Sequence, residues 1–317
     1  MTPAQRSAVG VDVGGTKVNA LLVDEEGRIL AREIRPTPAD DTGATLRALV
    51  EAAAAVRAHD SVAVGIGAAG QVLRRTGRLV FAPNIAWRDV DLAALVRQKI
   101  GLPVRVDNDC TAATFGEWRI GAARGVNDVL YVGVGTGIGG GLILDGGLYR
   151  GANGFAGEVG HVVVDPAGPE CGCGNRGCWE TVASGNAIAR DGRSAVTRHA
   201  HSLLAEMANG DPEAVTGELV TRAADEGDTA ARGVLAEVGA RLGEGIAGLV
   251  NVLDVSLVVV GGGAASSGEH LLGPARHAFR SAVEGRERHP DVPIVPAALG
   301  PDGAAIGAAL LALQEAD

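Results

Sequence analysis

Three of the four cysteines fall within eight residues, as Cys171, Cys173 and Cys178 in the run Cys-Gly-Cys-Gly-Asn-Arg-Gly-Cys, and a Glu158-Val-Gly-His161 stretch lies just upstream. Three thiolates and one imidazole make a four-ligand nitrogen–sulfur shell that suits tetrahedral Zn²⁺. Gly172 and Gly174 flank Cys173, where the backbone must bend for the sulfurs to converge. A Cys-x-Cys pair can also be a redox couple. A disulfide framework needs a small secreted domain, and a chain of 317 residues with four cysteines is neither small nor cysteine-rich. Four protein ligands leave no open position for a reactive water, so the expected zinc is structural. Residue types that contact sugars surround the cluster: Asn153, Glu158, His161, Asn175 and Glu180. The metal therefore reads as a brace for a binding surface, with one His161 ring nitrogen on zinc and the other free to meet a hydroxyl. Cys110 stands alone in an apolar helical stretch and reads as a small buried hydrophobe.

A second set of chemistry-bearing residues sits in glycine turns. The stretch Val9–Asp24 and the stretch Leu130–Asp145 are internal repeats, each followed by a further turn and an apolar segment. Each copy reads as strand, glycine turn with a threonine, strand, Asp-Gly-type turn, strand. Gly135-Thr-Gly-Ile-Gly-Gly140 matches the dinucleotide fingerprint, but that fingerprint must open a helix, and here a strand pattern follows. No Gly-Lys-Ser/Thr ending is present, so this is not a Walker loop. The better reading is a hairpin turn whose backbone N–H groups, with the Thr136 hydroxyl, face phosphate oxygens. Two such turns, with Gly261–Gly263 after the apolar run Leu257–Val260, predict a nucleotide clamped between two lobes. Asp12, on the strand before the first turn, could hold Mg²⁺, and Lys17 could be a phosphate partner.

Asp109 lies between a strand end and a helix start, near the expected N-cap. Simple capping would account for it. The functional reading is a general base that takes a hydroxyl proton during attack on a γ-phosphoryl group. The helix N-terminus is expected to keep it ionised, and phosphoryl transfer needs positioning and charge neutralisation more than covalent help. Asn108 is then a hydroxyl-binding neighbour.

These residues need elements to hold them. Apolar periodicity predicts helices over Ala44–Ala58, from Thr111 towards Ile120, over Leu235–Leu253 and over Gly303–Gln314, with strands at Val62–Ile66, Val104–Val106 and Leu257–Val260. The alternation indicates α/β layers, and the length allows about two domains. Hydrophobic residues make up 46% of the chain and aromatic ones 3%, so the cores are built from Val, Ala, Leu and Ile. With 28 basic and 38 acidic side chains, a net charge of −10 and no Lys/Arg run, nucleic acid and anionic membranes are excluded as main partners. No signal-peptide pattern and no apolar run of about 20 residues is present, so a cytoplasmic location is expected.

Together the motifs resemble the ROK family of sugar kinases and repressors, within the actin-like/hexokinase ATPase superfamily. The resemblance covers essentially the whole chain and rests on Asp12-Val-Gly-Gly-Thr-Lys17, Asp107-Asn-Asp109, Gly133–Gly141, Gly157-Glu-Val-Gly-His161 and the run Cys171–Glu180. It implies a two-lobed α/β fold of the ribonuclease-H-like type, with mixed sheets and helices and an active site in the interdomain cleft. A smaller discontinuous domain of residues 1–110 plus about 303–317, and a larger one of 111–302 with the zinc loop, are expected. The resemblance further implies Zn²⁺ on His161, Cys171, Cys173 and Cys178, and Asp109 as catalytic base. Sugar contacts are implied at Gly70, Asn84, Asn108, Asp109, Glu158, His161 and Glu180. ATP and Mg²⁺ contacts are implied at Asp12, Gly14, Gly15, Thr16, Lys17, Gly135, Thr136 and Gly137, with Gly261 and Gly262 on the adenosine side.

The segments Ala82–Arg88 and Gly65–Gly70 look most like the glucokinase members of that family. Thr111 departs from the pattern, since many relatives carry Asn there. Asp12 is reached almost immediately, so no DNA-binding helix-turn-helix module is expected. The implied activity is ATP-dependent phosphorylation of glucose at its 6-hydroxyl, with domain closure excluding water. Kinases for mannose, fructose, allose or an N-acetylhexosamine, and a non-catalytic sugar sensor, are the alternatives. A polyphosphate donor is disfavoured for want of a basic track. A homodimer or homotetramer is implied by the resemblance alone.

Overall fold

The computed structural model describes residues 6–316; the ends of the expected domain limits, 1–5 and 317, lie outside them. The chain opens with an antiparallel meander, β1 (Ser7–Val13), β2 (Lys17–Asp24) and β3 (Ile29–Pro36). Helix α1 (Thr42–Val56) starts where the Asp41 carboxylate accepts the Ala44 N–H, satisfying one of the donors a helix start leaves unpaired. There follow β4 (Ser61–Ala68), a small antiparallel sheet of β5 (Gln71–Leu73), β6 (Arg78–Phe81) and β7 (Arg88–Val90), then α2 (Leu92–Ile100), β8 (Val104–Asn108) and α3 (Asp109–Ile120). The first five-stranded sheet has the order β3-β2-β1-β4-β8, with β4 and β8 parallel to their neighbours. β1 and β4 lie inside it and are buried almost throughout. That is why their sequences are continuously apolar, whereas β3, at the edge, alternates in exposure.

The second repeat forms the matching meander, β9 (Val129–Val134), β10 (Ile138–Leu144) and β11 (Gly147–Tyr149). The 130–145 repeat is thus a hairpin, as its glycine pattern predicts. After it come α4 (Glu180–Ala183), α5 (Gly185–Arg198), α6 (Leu203–Met207), α7 (Gly217–Asp225) and the long α8 (Thr229–Leu253). The chain ends with β12 (Leu257–Gly261), α9 (Glu269–Ala282), β13 (Ile294–Pro296) and α10 (Gly303–Glu315). The second five-stranded sheet runs β11-β10-β9-β12-β13.

Two compact units emerge. The first runs through Tyr131, resumes at Gly141–Gly157 and closes with the chain from Ala297; the second comprises Val132–Gly140 and Glu158–Pro296. The expected boundary at 110/111 differs from this. α3 stays with the first unit because it packs on α10 and β4. α10 is buried on every side from Ala305 to Leu313, as an all-apolar helix must be. Its fit depends on absent side chains: a Cβ on Gly65 would lie 1.8 Å from the Ala308 carbonyl oxygen, and one on Gly307 would lie 1.8 Å from that of Ala112. Backbone therefore touches backbone between β4, α10 and α3, which fixes where α3 begins. Among the described residues no helix is long and apolar enough to cross a membrane.

Candidate active and metal sites

In the first unit the turn after β1 is a tight hairpin. Gly14 N–H donates to the Lys17 carbonyl at 3.1 Å, and Thr37 fixes the turn from β3's end, its hydroxyl donating to Gly14 O at 2.8 Å and its N–H to Thr16 O at 2.9 Å. Thr16 and Lys17 are exposed. Asn84, in the loop between β6 and β7, lies against this turn: a Cβ on Gly15 would come 2.9 Å from both Asn84 Cβ and its carbonyl oxygen. Only glycine permits that approach.

Asn108, not Asp109, caps α3. Its Oδ1 accepts the Thr111 N–H at 3.0 Å, and its Nδ2 donates to the Gly70 carbonyl at 3.1 Å. Capping therefore leaves Asp109 for other work. The Asp109 carboxylate is half-buried and accepts the Cys110 N–H at 2.9 Å. The expected bias of the helix start towards the ionised form of Asp109 is opposed by burial. Burial pushes its pKa above the ordinary carboxylate value, outweighing the stabilising hydrogen bonds from Cys110 and Asn108. Asp12 is also raised, to about 7, first by burial and then by the neighbouring Asp109 charge, with Lys17 opposing and Asp302 adding to the rise. Carboxylates that repel one another beside a phosphate-type turn fit a divalent cation, whose charge relieves the repulsion. Asp12 would hold Mg²⁺ here, and the ion would neutralise phosphate charge. Cys110 is half-buried, not the buried hydrophobe expected, at the start of α3 beside half-buried Asp109.

Arg150, Asp302 and Glu117 of this unit were not singled out from the sequence. Asp107 pairs with Arg150, Nε to Oδ2 at 2.7 Å, and its other oxygen accepts the Asn108 N–H at 3.1 Å. Asp302, just before α10, is gripped by both Arg32 guanidinium nitrogens and by Asn19 Nδ2. That grip holds its carboxyl below the usual range despite burial. Buried Glu117 accepts backbone N–H groups from Ala122, Ala298 and Leu299 at 2.8, 3.1 and 2.8 Å, tying α3's end to the approach of α10. Charges inside apolar helices, or adjacent to a recognised motif, were the signals available.

In the second unit His161, Cys171, Cys173 and Cys178 bring their ligand atoms within 4.8 Å of one another. Cys173 and Cys178 Sγ are 3.6 Å apart, as are Cys171 Sγ and His161 Nδ1. Bonds of about 2.0–2.3 Å in a tetrahedron separate ligand atoms by about 3.5–3.8 Å, so the set fits Zn²⁺. The ion would cross-link the loop and hold the thiols deprotonated. Nδ1 points into the cluster, and Nε2 lies 3.8 Å from Glu158 Oε2. The knuckle bends at Gly174 (φ +93°) and Gly177 (φ +66°), not at Gly172. At Gly177 the chain passes so close to the Asp165 carbonyl that no Cβ fits.

Glu180, at the start of α4, reaches this cluster. Its Oε1 accepts from Cys171 Sγ at 2.9 Å, a bond that belongs to the thiol form, and its Oε2 accepts the Ile138 N–H at 3.3 Å. The turn between β9 and β10 is closed by Gly135 N–H to Gly137 O at 3.0 Å, with Thr136 exposed. Gly262 (φ +84°) lies against the Val134 backbone, where a Cβ would come 2.4 Å from the carbonyl oxygen. The glycine turns at 135–137 and 261–262 are thus brought together. Asn153 and Asn175 are both exposed. Asn153 belongs to the first unit, and Asn175 contributes its carbonyl to the knuckle by accepting the Cys171 N–H.

Paired β-meanders with glycine hairpins, one carrying an aspartate before its turn, define an α/β protein of the two-lobed actin-like ATPase fold. The ROK family profile matches residues 8–315, and the chain belongs to the ROK family. It is 40% identical over 310 residues to the glucokinase of Streptomyces coelicolor, covering 96% of this chain and 97% of the relative. It is 41% identical to a ROK family glucokinase from Streptomyces griseus solved with glucose and AMPPNP, with a TM-score of 0.90 over 97% of this chain and 99% of that one. It is also 33% identical over 273 residues to a xylose repressor of Caldicellulosiruptor bescii, covering 84% of this chain and 68% of the repressor.

Proposed function

We propose that the protein is an ATP-dependent hexokinase-type sugar kinase that phosphorylates glucose at its 6-hydroxyl. The observation that carries this reading is the likeness to the Streptomyces griseus enzyme, which was solved with glucose and an ATP analogue and matches almost end to end. The side-chain chemistry of each unit supports it.

In the first unit Asp109 acts as general base. It receives the 6-hydroxyl proton while that oxygen attacks the γ-phosphorus. Burial raises its pKa above the ordinary carboxylate value, which makes it a stronger proton acceptor than an exposed carboxylate. Asn84, Asn108 and the Gly70 backbone, together with Glu158, His161 and Glu180, bind the sugar hydroxyls. The N–H groups of the turns at Gly14–Lys17 and Gly135–Gly137, with the Thr16 and Thr136 hydroxyls, receive phosphate oxygens, and Gly261 and Gly262 line the adenosine side. Such backbone donors are preorganised, so they stabilise developing charge with little rearrangement. Asp12 would hold Mg²⁺, which would supply charge neutralisation on the phosphates. Zinc on His161, Cys171, Cys173 and Cys178 is structural. We assign the enzyme to the cytoplasm as a homodimer or homotetramer.

The similarity to a xylose repressor favours a sugar sensor without catalysis. Asp12, Asp109 and the paired turns favour the kinase. A coupled assay across glucose, mannose, fructose, allose and N-acetylhexosamines, with ATP and polyphosphate as donors, decides between them. Turnover with glucose and ATP above all other pairs is expected. Sugar binding with no turnover on any pair would leave the sensor.

A further inference from the structure

Glu180 touches both the cysteine–histidine cluster and the turn between β9 and β10. Its Oε1 lies 2.9 Å from Cys171 Sγ and 3.6 Å from His161 Nδ1, and its Oε2 accepts the Ile138 N–H at 3.3 Å. The fit is close: a Cβ on Gly137 would come 2.3 Å from Glu180 Oε2. Gly160, one residue before the histidine ligand, lies against the same turn, where a Cβ would come 2.0 Å from the Ile138 carbonyl oxygen. On the other flank the start of α5 holds the turn, Gly185 N–H donating to Gly135 O at 2.8 Å and Asn186 N–H to Thr136 O at 3.4 Å. Glu180 itself is anchored from behind. It follows Cys178 and the fully buried Trp179, whose Nε1 donates to the Arg241 carbonyl on α8 at 3.0 Å.

We infer that Glu180 is a positioning residue for the nucleotide: through the chain link Cys178-Trp179-Glu180, which remains when the thiols are bound to metal, the metal loop sets the aim of the Gly135–Ile138 N–H groups. Metal occupancy then governs affinity for the nucleotide phosphates as well as for the sugar. The inference rests on the proposed reading that this turn receives phosphates. The physical basis is preorganisation. The turn has two glycines and an exposed Thr136, so apart from the buried Ile138 it has few side-chain contacts of its own, and donors held from outside lose less entropy on binding than donors that must be ordered by the ligand. A carboxylate accepting a backbone N–H is a charge-assisted bond, and its removal frees one side of the turn.

Calorimetry of MgAMPPNP binding, without sugar, separates this from a role confined to the sugar. Wild type, chelator-treated protein with its metal content measured, Glu180→Ala and Glu180→Gln are compared. Glu180→Ala and metal removal are each expected to weaken the nucleotide by about tenfold. Glu180→Gln keeps an oxygen that can accept the Ile138 N–H, so its nucleotide affinity stays within about twofold while its glucose affinity falls by more. Amide exchange at 136–138 should quicken in the metal-free protein. This last readout stands even if Glu180→Ala does not fold. Unchanged nucleotide affinity and unchanged amide exchange in the metal-free protein would overturn the inference. Wild type that binds no MgAMPPNP would instead sink the underlying assignment of the turn.

Discussion

Arg150 and Asp107 form a buried ion pair, 2.7 Å from Nε to Oδ2, with only 10% of the arginine side chain and 7% of the aspartate exposed. Asp107 turns its other oxygen to the Asn108 N–H, and Asn108 in turn holds Gly70 and caps α3 through Thr111. A run of polar contacts therefore leads from the residue after β11 to the first turn of the helix that presents Asp109.

Removing one partner of such a pair strands a charge in a dry environment, which costs about 3–5 kcal/mol. Arg150→Met should lower the stability of the folded protein by that order in urea denaturation. Asp107→Asn in the same background should restore part of the loss, because the unpaired charge is gone. Equal stability of wild type and Arg150→Met would show that the pair is solvated and of no consequence. Arg150→Lys, which keeps charge but not the guanidinium shape, should fall between the two.

This pair also shows where the sequence stopped being readable. Asp107, Asn108 and Asp109 stood out as a motif, and so did the two glycine hairpins, because both are local patterns with local causes. The cysteine cluster was legible for the same reason. Arg150 lies 43 positions from Asp107, and nothing local marks one as the other's partner. Asp302 was invisible too, since its partners Arg32 and Asn19 sit on strands of the opening meander. Which of Asn108 and Asp109 would cap α3 was undetermined by residue type, because both side chains can cap; the backbone angles at the strand end decided it. The sign of the Asp109 shift depended on burial, which the helix-start argument did not include.

The raised Asp12 pKa gives the ligand-free protein a distinctive pH dependence. Its folded value is about 7 against an ordinary 3.8. Between those values the folded state holds a proton that the unfolded chain has released, so stability falls as pH rises through the window. The whole displacement corresponds to at most about 4 kcal/mol, less where solvent reaches the half-buried carboxylate. Asp109, also raised, acts in the same direction. Asp302, held low, acts oppositely, and its stability is lost only as pH drops below the ordinary carboxylate range. Urea midpoints measured without Mg²⁺ from pH 4.5 to 7.5 should decline in wild type and decline less in Asp12→Asn. Added Mg²⁺ should stabilise wild type most at the upper end, where Asp12 is ionised. Identical pH slopes for wild type and Asp12→Asn would remove Asp12 as the source.

Asp109 supplies the sharpest test of the chemistry. If it takes the hydroxyl proton in the transition state, Asp109→Ala should reduce kcat by about 10²–10⁴-fold, the usual worth of a positioned base. Glucose binding should persist in part, because Asn84, Asn108, Glu158, His161 and Glu180 remain. Asp109→Asn should behave alike in kcat, since an amide cannot accept the proton, while preserving the hydrogen bond to the Cys110 N–H and hence the start of α3. The pairing of a lost kcat with a retained glucose affinity distinguishes a base from a residue that only binds sugar, whose loss would appear mainly in KM. The pH profile adds a second discriminator. Wild-type kcat should rise through the pH at which the buried carboxyl gives up its proton, and the residual rate of Asp109→Asn should lack that limb. Near-normal turnover in either variant would assign the proton to another acceptor.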